Sequence, residues 1–344
     1  MPVINLTQID ATTDVTTTTT LLHEVIPMTG TILSGVYADT NIKNYTHGMF
    51  QSVYDYAYQS SSANHILDLT IGYDETSAYS GSASIQNSKK INLYNQFAQL
   101  LLGYTSSTAD SIRKFESDLK LDGAGSMNEV FFLTLSRLLT KDQIKRNSIS
   151  ISIGTGSNYS VPHEHVMTLT DASASYGTDA GVVNTVGGDY GVLYDQNQNQ
   201  QGVVFYQAGI VALSASVFTG TAQFSSSTPA STVRLSMTDG TIESNCDALR
   251  HRIKNISFNN TTEVNSTIYF CRVPHNQYNY SSNPTYLTGS KIRVKNQATD
   301  QPVSYVTTVG LYNDSGEMIA VAKLSEPLRK DPNNDITIRV RLDY

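Results

Sequence analysis

His163-Glu164-His165 is the one local triplet in this chain whose side chains invite a metal ion. On a strand the two imidazoles would share one face, with Glu164 on the other. A metal site needs further ligands, and the sequence supplies none at a workable spacing, so exposed loop or strand histidines are the better reading. Gly154-Thr155-Gly156 and Gly187-Gly188 would have to cradle a phosphate to be functional. Neither opens a helix after a strand, and no lysine follows at the right offset, so both read as turns or bulges.

Acid–base chemistry fares no better. Asp55, Asp68, Asp171, Asp179 and Asp189 are scattered, and no acid pair, Ser-His-Asp set or Cys-His set assembles from sequence. No catalytic residue, no metal ligand and no cofactor is expected, and the chain does not read as an enzyme. Cys246 and Cys271 make neither a metal cage nor a framework; they read as two reduced thiols, with a disulfide as the alternative.

Tyr278-Asn279-Tyr280-Ser281-Ser282-Asn283-Pro284 is the most unusual short segment. Pro284 pushes Asn283 away from helix, and the Asn and Ser side chains can bond nearby backbone groups. A rigid loop carrying aromatic rings is expected between two strands. Tyr278, Tyr280, Asn283 and Pro284 form the candidate interaction site, read first as a subunit contact and second as a platform for a host glycan.

Composition narrows the classes. Charged residues make up 15% of the 344, below the roughly 25% usual in globular proteins. Hydroxyls, amides and 21 tyrosines take their place, and tryptophan is absent. Such a surface suits large protein–protein contacts, because few ions need desolvating. A net charge of −7 argues against a nucleic-acid partner, which would leave a basic stripe. No run approaches the roughly 20 apolar residues of a membrane span, and the N-terminus lacks the pattern of a signal peptide. Synthesis and assembly in a cytoplasm are therefore expected.

The elements follow from periodicity. Residues 1–25, with Thr16 to Thr20 at their centre, predict an extended arm that is pinned, on its own subunit or on a neighbouring one, the latter hinting at assembly. Thr46 predicts a cap for a helix with Met49, Phe50, Val53, Tyr54 and Ala57 inward. Further helices are predicted over Lys89–Leu102, stopped by Gly103, and over Thr108–Leu119. Ser126 with Glu129 reads as a capping box before Val130-Phe131-Phe132-Leu133, Thr140 with Gln143 as another, and Glu243–Lys254 as a last short helix. Strands are predicted at His65–Tyr73, at Ile149 to Ile153, at Val203–Tyr206, at Ile210–Phe218, at Thr267–Val273 and at Lys291–Lys295. Tyr305–Tyr312 and Glu317–Leu324 flank Asn313-Asp314-Ser315-Gly316, which predicts a hairpin. Ile336, Ile338, Val340, Leu342 and Tyr344 alternate with Thr337, Arg339, Arg341 and Asp343, which predicts a half-buried final strand.

The fold class expected is α+β and β-rich, an antiparallel sandwich or barrel with an inserted or N-terminal helical subdomain. The divisions expected are an arm over 1–45, a mainly helical subdomain over 46–147, a β-rich domain over 148–260, and an antiparallel platform over 261–344.

Several stretches resemble a family of virion structural proteins from tailed bacteriophages, especially T4-like viruses and relatives from marine and cyanobacterial hosts. They are Phe50 to Tyr56 with Ser60 to Leu67, Lys89 to Gly103, Asn128 to Lys145, Val204 to Gly209, Phe270 to Pro284, and Tyr305 to Pro327 with the closing strand. Their order along most of the chain carries the resemblance. It implies a non-enzymatic building block of a virion tail, near the baseplate or the head–tail junction, with other copies of itself and other virion proteins as partners. A host-receptor-binding fibre or spike, and a tail enzyme acting on polysaccharide, are the alternatives.

Overall fold

The computed structural model describes residues 7–28, 39–105, 111–118, 120, 123–171, 184–226, 231–280, 287–288, 291–292, 299 and 301–344. In chain order the strands and helices are β1 (Val15–Met28), β2 (Ile42–Asn44), β3 (Gln51–Tyr54), β4 (His65–Tyr73), α1 (Asn87–Leu101), β5 (Glu129–Leu135) and α2 (Arg137–Thr140). Next come β6 (Gln143–Ile144), β7 (Ser150–Gly154), β8 (Val166–Thr170), β9 (Asn184–Thr185), β10 (Gly188–Tyr194), β11 (Gln200–Phe205) and β12 (Ile210–Ser214). The remainder are α3 (Val233–Asp239), α4 (Ile242–Arg252), β13 (Ile253–Val273), β14 (Leu287–Thr288), β15 (Lys291–Ile292), β16 (Ser304–Tyr312), β17 (Met318–Lys330) and β18 (Ile336–Asp343). Two compact units result, one from Leu22–Thr262 and one from Met1–Leu21 with Glu263–Tyr344.

In the larger unit the strands lie in the order β13-β7-β8-β10-β11-β12-β5-β4-β3-β2, with β6 on β13 and β9 on β10. The paired registers are antiparallel throughout. The central strands are covered on both faces. Phe131 and Leu133 of β5, Val204 of β11 and Val211 of β12 share one apolar cluster with Met237 of α3 and Ile242, Cys246 and Leu249 of α4. Their strand neighbours Val130, Phe132, Val203, Phe205, Ile210 and Ala212 belong to a second cluster with Tyr94, Ala98 and Leu101 of α1. Ile151 and Ile153 of β7 and Ile256 of β13 join the first cluster, so these strands share one core with α3, α4 and the central strands. That is the β-rich α+β, sandwich-like class expected.

The helical subdomain expected over 46–147 is corrected by the same burial. Val130 to Leu133 is apolar at every position because β5 is buried on both faces, and a doubly covered strand has no period-2 signature. Met49 to Ala57 holds the short strand β3 rather than a helix, paired to β4 with Ser52 opposite Asp68. Residues 111–118 are irregular apart from the bridges Tyr104–Ile112 and Glu116–Ser126. After the single turn of α2, Gln143 begins a strand instead of supporting a helix cap. Of the helices expected in this region only α1 forms as predicted, with Gly103 at φ +78° after its end, while the strand expected at His65–Tyr73 forms as β4. It lies directly on Gly72 of β4: a Cβ there would stand 2.8 Å from the Tyr94 amide nitrogen and 2.9 Å from the Lys90 carbonyl oxygen.

In the smaller unit β13 is flanked by β1 and β18. Its pairing with β18 runs from Ser266↔Asp343 to Val273↔Ile336. Ile338 and Val340 are buried while Thr337, Arg339, Arg341 and Asp343 are exposed, as the alternation requires. The expected hairpin is β16–β17, with Gly316 at φ +79° and the Asn313 side chain accepting from the Glu317 amide at 2.8 Å. The described part of the N-terminal arm takes the first of the two dockings left open. It pairs within its own chain, through Phe270 N–H to Asp14 O at 2.9 Å, Arg272 to Asp14 at 2.6 Å, and Thr19 to Asn265 at 2.8 Å. A strand backbone satisfies its polar groups wherever an edge is open, and β13 offers one beside the arm.

Candidate functional site

The residues singled out from sequence do not converge. His163 sits in a 3-10 turn at Pro162–Glu164, and His165 is exposed just before β8. Both ring nitrogens of His163 are buried without a hydrogen-bond partner, and burial pushes its pKa down. Among the described residues no group of three His, Cys, Asp or Glu side chains is arranged to hold a metal. Gly154 and Gly156 are small for a packing reason: a Cβ on either would lie within 3.0 Å of backbone at Val161 or Pro162. Cys246 and Cys271 are free thiols.

Tyr278 and Tyr280 are exposed at 42% and 53%. Tyr278 takes φ 55°, and its hydroxyl meets Thr7 Oγ1 at 2.6 Å. Beneath them the buried ammonium of Lys330 donates to the His275 and Asp331 carbonyls and to Asn279 Oδ1, at 3.1, 2.8 and 2.7 Å. This part of the loop is therefore held from inside. Asn283 and Pro284 lie outside the described residues.

A denser constellation lies elsewhere, on β2, β3 and β4, and sequence reasoning missed it. Cross-strand pairing puts Lys43, Ser52 and Asp68 in one row. Ser52 Oγ donates to Asp68 Oδ1 at 2.5 Å, and His65 Nε2 reaches the same oxygen at 2.9 Å. Tyr45 OH stands 3.3 Å from Ser52 Oγ. The hydrogen bonds thus run Tyr45, Ser52, Asp68, with His65 also reaching Asp68. Around them the Tyr54 ring packs edge-on to His65 at 5.5 Å and lies 6.4 Å from Tyr58. Tyr45 stacks on His47 at 5.1 Å, Phe50 packs beside both, and Lys43 Nζ lies 4.8 Å above the Tyr45 ring.

The chemistry of this cluster is limited by its connectivity. A nucleophilic serine needs an imidazole to take its proton, with the carboxylate behind the imidazole. Here Ser52 and His65 both bond the carboxylate, so the relay is out of order. What the arrangement does is raise the His65 pKa, through the hydrogen bond to Asp68 against the opposing effect of burial. The signal in sequence was the tyrosine density at 45–58; the register that joins it to His65 and Asp68 was hidden by reading that stretch as helix.

Two other surfaces complete the survey. A shallow groove of about 430 Å³ is lined by Leu100, Leu101, Thr185, Val186, Gly187, Gly188, Gln207 and Ala208, with no ionisable side chain. In the smaller unit the β16–β17 hairpin leaves Tyr305, Tyr312, Met318, Ile319, Val321 and Leu328 exposed at 37–68%. In β1 every residue from Thr16 to Leu22 is exposed. No helix among the described residues is long and apolar enough to cross a membrane. Comparison with family models, curated proteins and solved structures returns no match.

Proposed function

We propose that this chain is a non-enzymatic structural subunit of a tailed-phage virion, in the tail, the baseplate or the head–tail junction. It joins the particle in the host cytoplasm through repeated contacts with copies of itself and with other virion proteins. The observation that carries the reading is the β16–β17 hairpin, a two-stranded ribbon with six large apolar side chains in water. Isolated hairpins are marginal in water, and clustered exposed apolar groups mark interaction surfaces. The exposed threonine-rich β1 supplies an outer strand of the kind that accepts a neighbouring strand. The pairing of this strand with β13 lies within its own chain, so only its other edge bears on assembly. Many modest contacts between copies add through multivalency, so no single residue need dominate.

The experiment is sedimentation of the full chain over a range of concentrations, beside the double variant Ile319→Asp, Val321→Asp. Concentration-dependent assembly that the variant loses is the expected result. A wild-type chain that stays monomeric throughout overturns the reading.

A further inference from the structure

We propose that the strip formed by Tyr58, Tyr54, His65, Asp68 and Tyr45, with the buried Ser52 behind Asp68, binds a neutral saccharide. A sugar ring presents an apolar C–H face and a rim of hydroxyls, so its site needs an aromatic platform beside convergent donors and acceptors. Tyr58, 38% exposed, offers a ring face at one end, and its hydroxyl is engaged sideways by Gln59 Nε2 at 3.1 Å. Tyr54 and His65 continue the aromatic surface toward Asp68.

The polar half is arranged with matching economy. Asp68 Oδ1 is occupied by Ser52 and His65, whereas Oδ2 has no partner among the described residues, and the side chain is 31% exposed. It is an acceptor held in place on a partly exposed side chain. Ser52, itself only 2% exposed, gives its proton to Asp68 from inside and so fixes it, and the Tyr45 hydroxyl stands 3.3 Å from the Ser52 oxygen. Because these groups are fixed by strand register and by each other, a ligand orders little on binding. Lys43 and Asp68 bring one positive and one negative charge to the row, which favours a neutral ligand over a polyanion.

The site binds rather than cleaves. Glycoside hydrolysis needs two carboxyl groups flanking the bond. Asp55, close by in sequence, has one oxygen taken by the Asn64 amide at 2.5 Å and the other by Asn64 Nδ2 at 2.7 Å. This inference does not depend on the assembly reading, whose surfaces lie in the smaller unit.

The full chain is applied to an array of neutral and anionic oligosaccharides, and the neutral oligosaccharide bound best is then titrated in a calorimeter. Saturable binding is expected, with affinity falling about tenfold or more in Tyr58→Ala and in Asp68→Asn. Tyr58→Phe, which keeps the ring, and Tyr278→Ala, in the other unit, should bind as the wild type does. Circular dichroism checks that each variant is folded. The proposal is overturned by absence of binding to any neutral saccharide, by wild-type affinity in folded Tyr58→Ala and Asp68→Asn, or by loss in Tyr278→Ala.

Discussion

Arg252 Nη1 bonds the Gly154 carbonyl at 3.1 Å, deep inside the larger unit, and no carboxylate among the described residues pairs with it. The same guanidinium takes the carbonyls of Gly156 at 3.0 Å, Phe224 at 3.2 Å and Gln223 at 2.5 Å, while lying over the Phe224 ring. Burial lowers its pKa to about 10, so it stays charged at neutral pH. The planar fork spreads one charge over four backbone dipoles, which a lysine cannot copy. Arg252→Met should destabilise the larger unit by about 3 kcal/mol or more, since four acceptors lose a charged donor. Arg252→Lys should recover only part of that. Thermal unfolding of both variants measures it, and a Met variant melting with the wild type refutes the role.

Lys90, on α1, is another buried cation of the larger unit, donating to Met237 O at 2.6 Å and Gly240 O at 2.8 Å. Burial lowers its pKa from 10.5 to about 8. Between those values the unfolded chain holds the proton and the folded chain does not. Stability contributed by this group therefore rises with pH across that window, by about 3 kcal/mol over its full width. Urea titrations from pH 7 to 10 should show that rise in the wild type and lose it in Lys90→Met. Equal slopes would exclude Lys90 as its source.

These two cations explain much of what the sequence hid. Gly154-Thr155-Gly156 read as a turn or bulge; its two glycine carbonyls are tied to an arginine nearly a hundred positions later, which no local pattern encodes. The final strand was legible because β18 is covered on one side only, so Ile338 and Val340 alternate with arginines. Phe131 and Phe132 misled because neighbouring residues on β5 serve opposite apolar clusters. The candidate saccharide strip was illegible for a third reason: Ser52, His65 and Asp68 meet through antiparallel register, which is set by the whole sheet.

His65 should titrate differently from its neighbours in kind. The hydrogen bond from His65 to Asp68 raises its pKa above the ordinary 6.5, whereas burial lowers those of His163 and His251. The His65–Asp68 contribution to stability is thus fully present below the unfolded pKa near 6.5 and is lost as pH rises through the raised value. His163 and His251 act in the opposite sense and weaken the fold on acidification. Proton NMR of the imidazole resonances should place His65 highest of the three, and Asp68→Asn should bring it down. An unmoved His65 resonance in that variant would break the assignment.

Deletion of residues 336–344 tests how the smaller unit is held. It removes Ile338 and Val340 from the apolar side of β13 and leaves Ser266 to Val273 with an open edge. It also removes Asp343, which accepts from Ser266 Oγ at 2.5 Å, and the Tyr344 backbone bonds to Asn265. Each buried aliphatic side chain contributes roughly 1.5–3 kcal/mol, so the loss approaches the 5–15 kcal/mol by which domains are typically stable. The shortened chain should be insoluble or fail to assemble, since an uncovered apolar strand edge recruits other chains without order. Val340→Ala, which keeps the backbone pairing, should stay soluble and lose about 1–3 kcal/mol in denaturant titration. A soluble, assembling 335-residue chain would show that β13 needs no partner on that side.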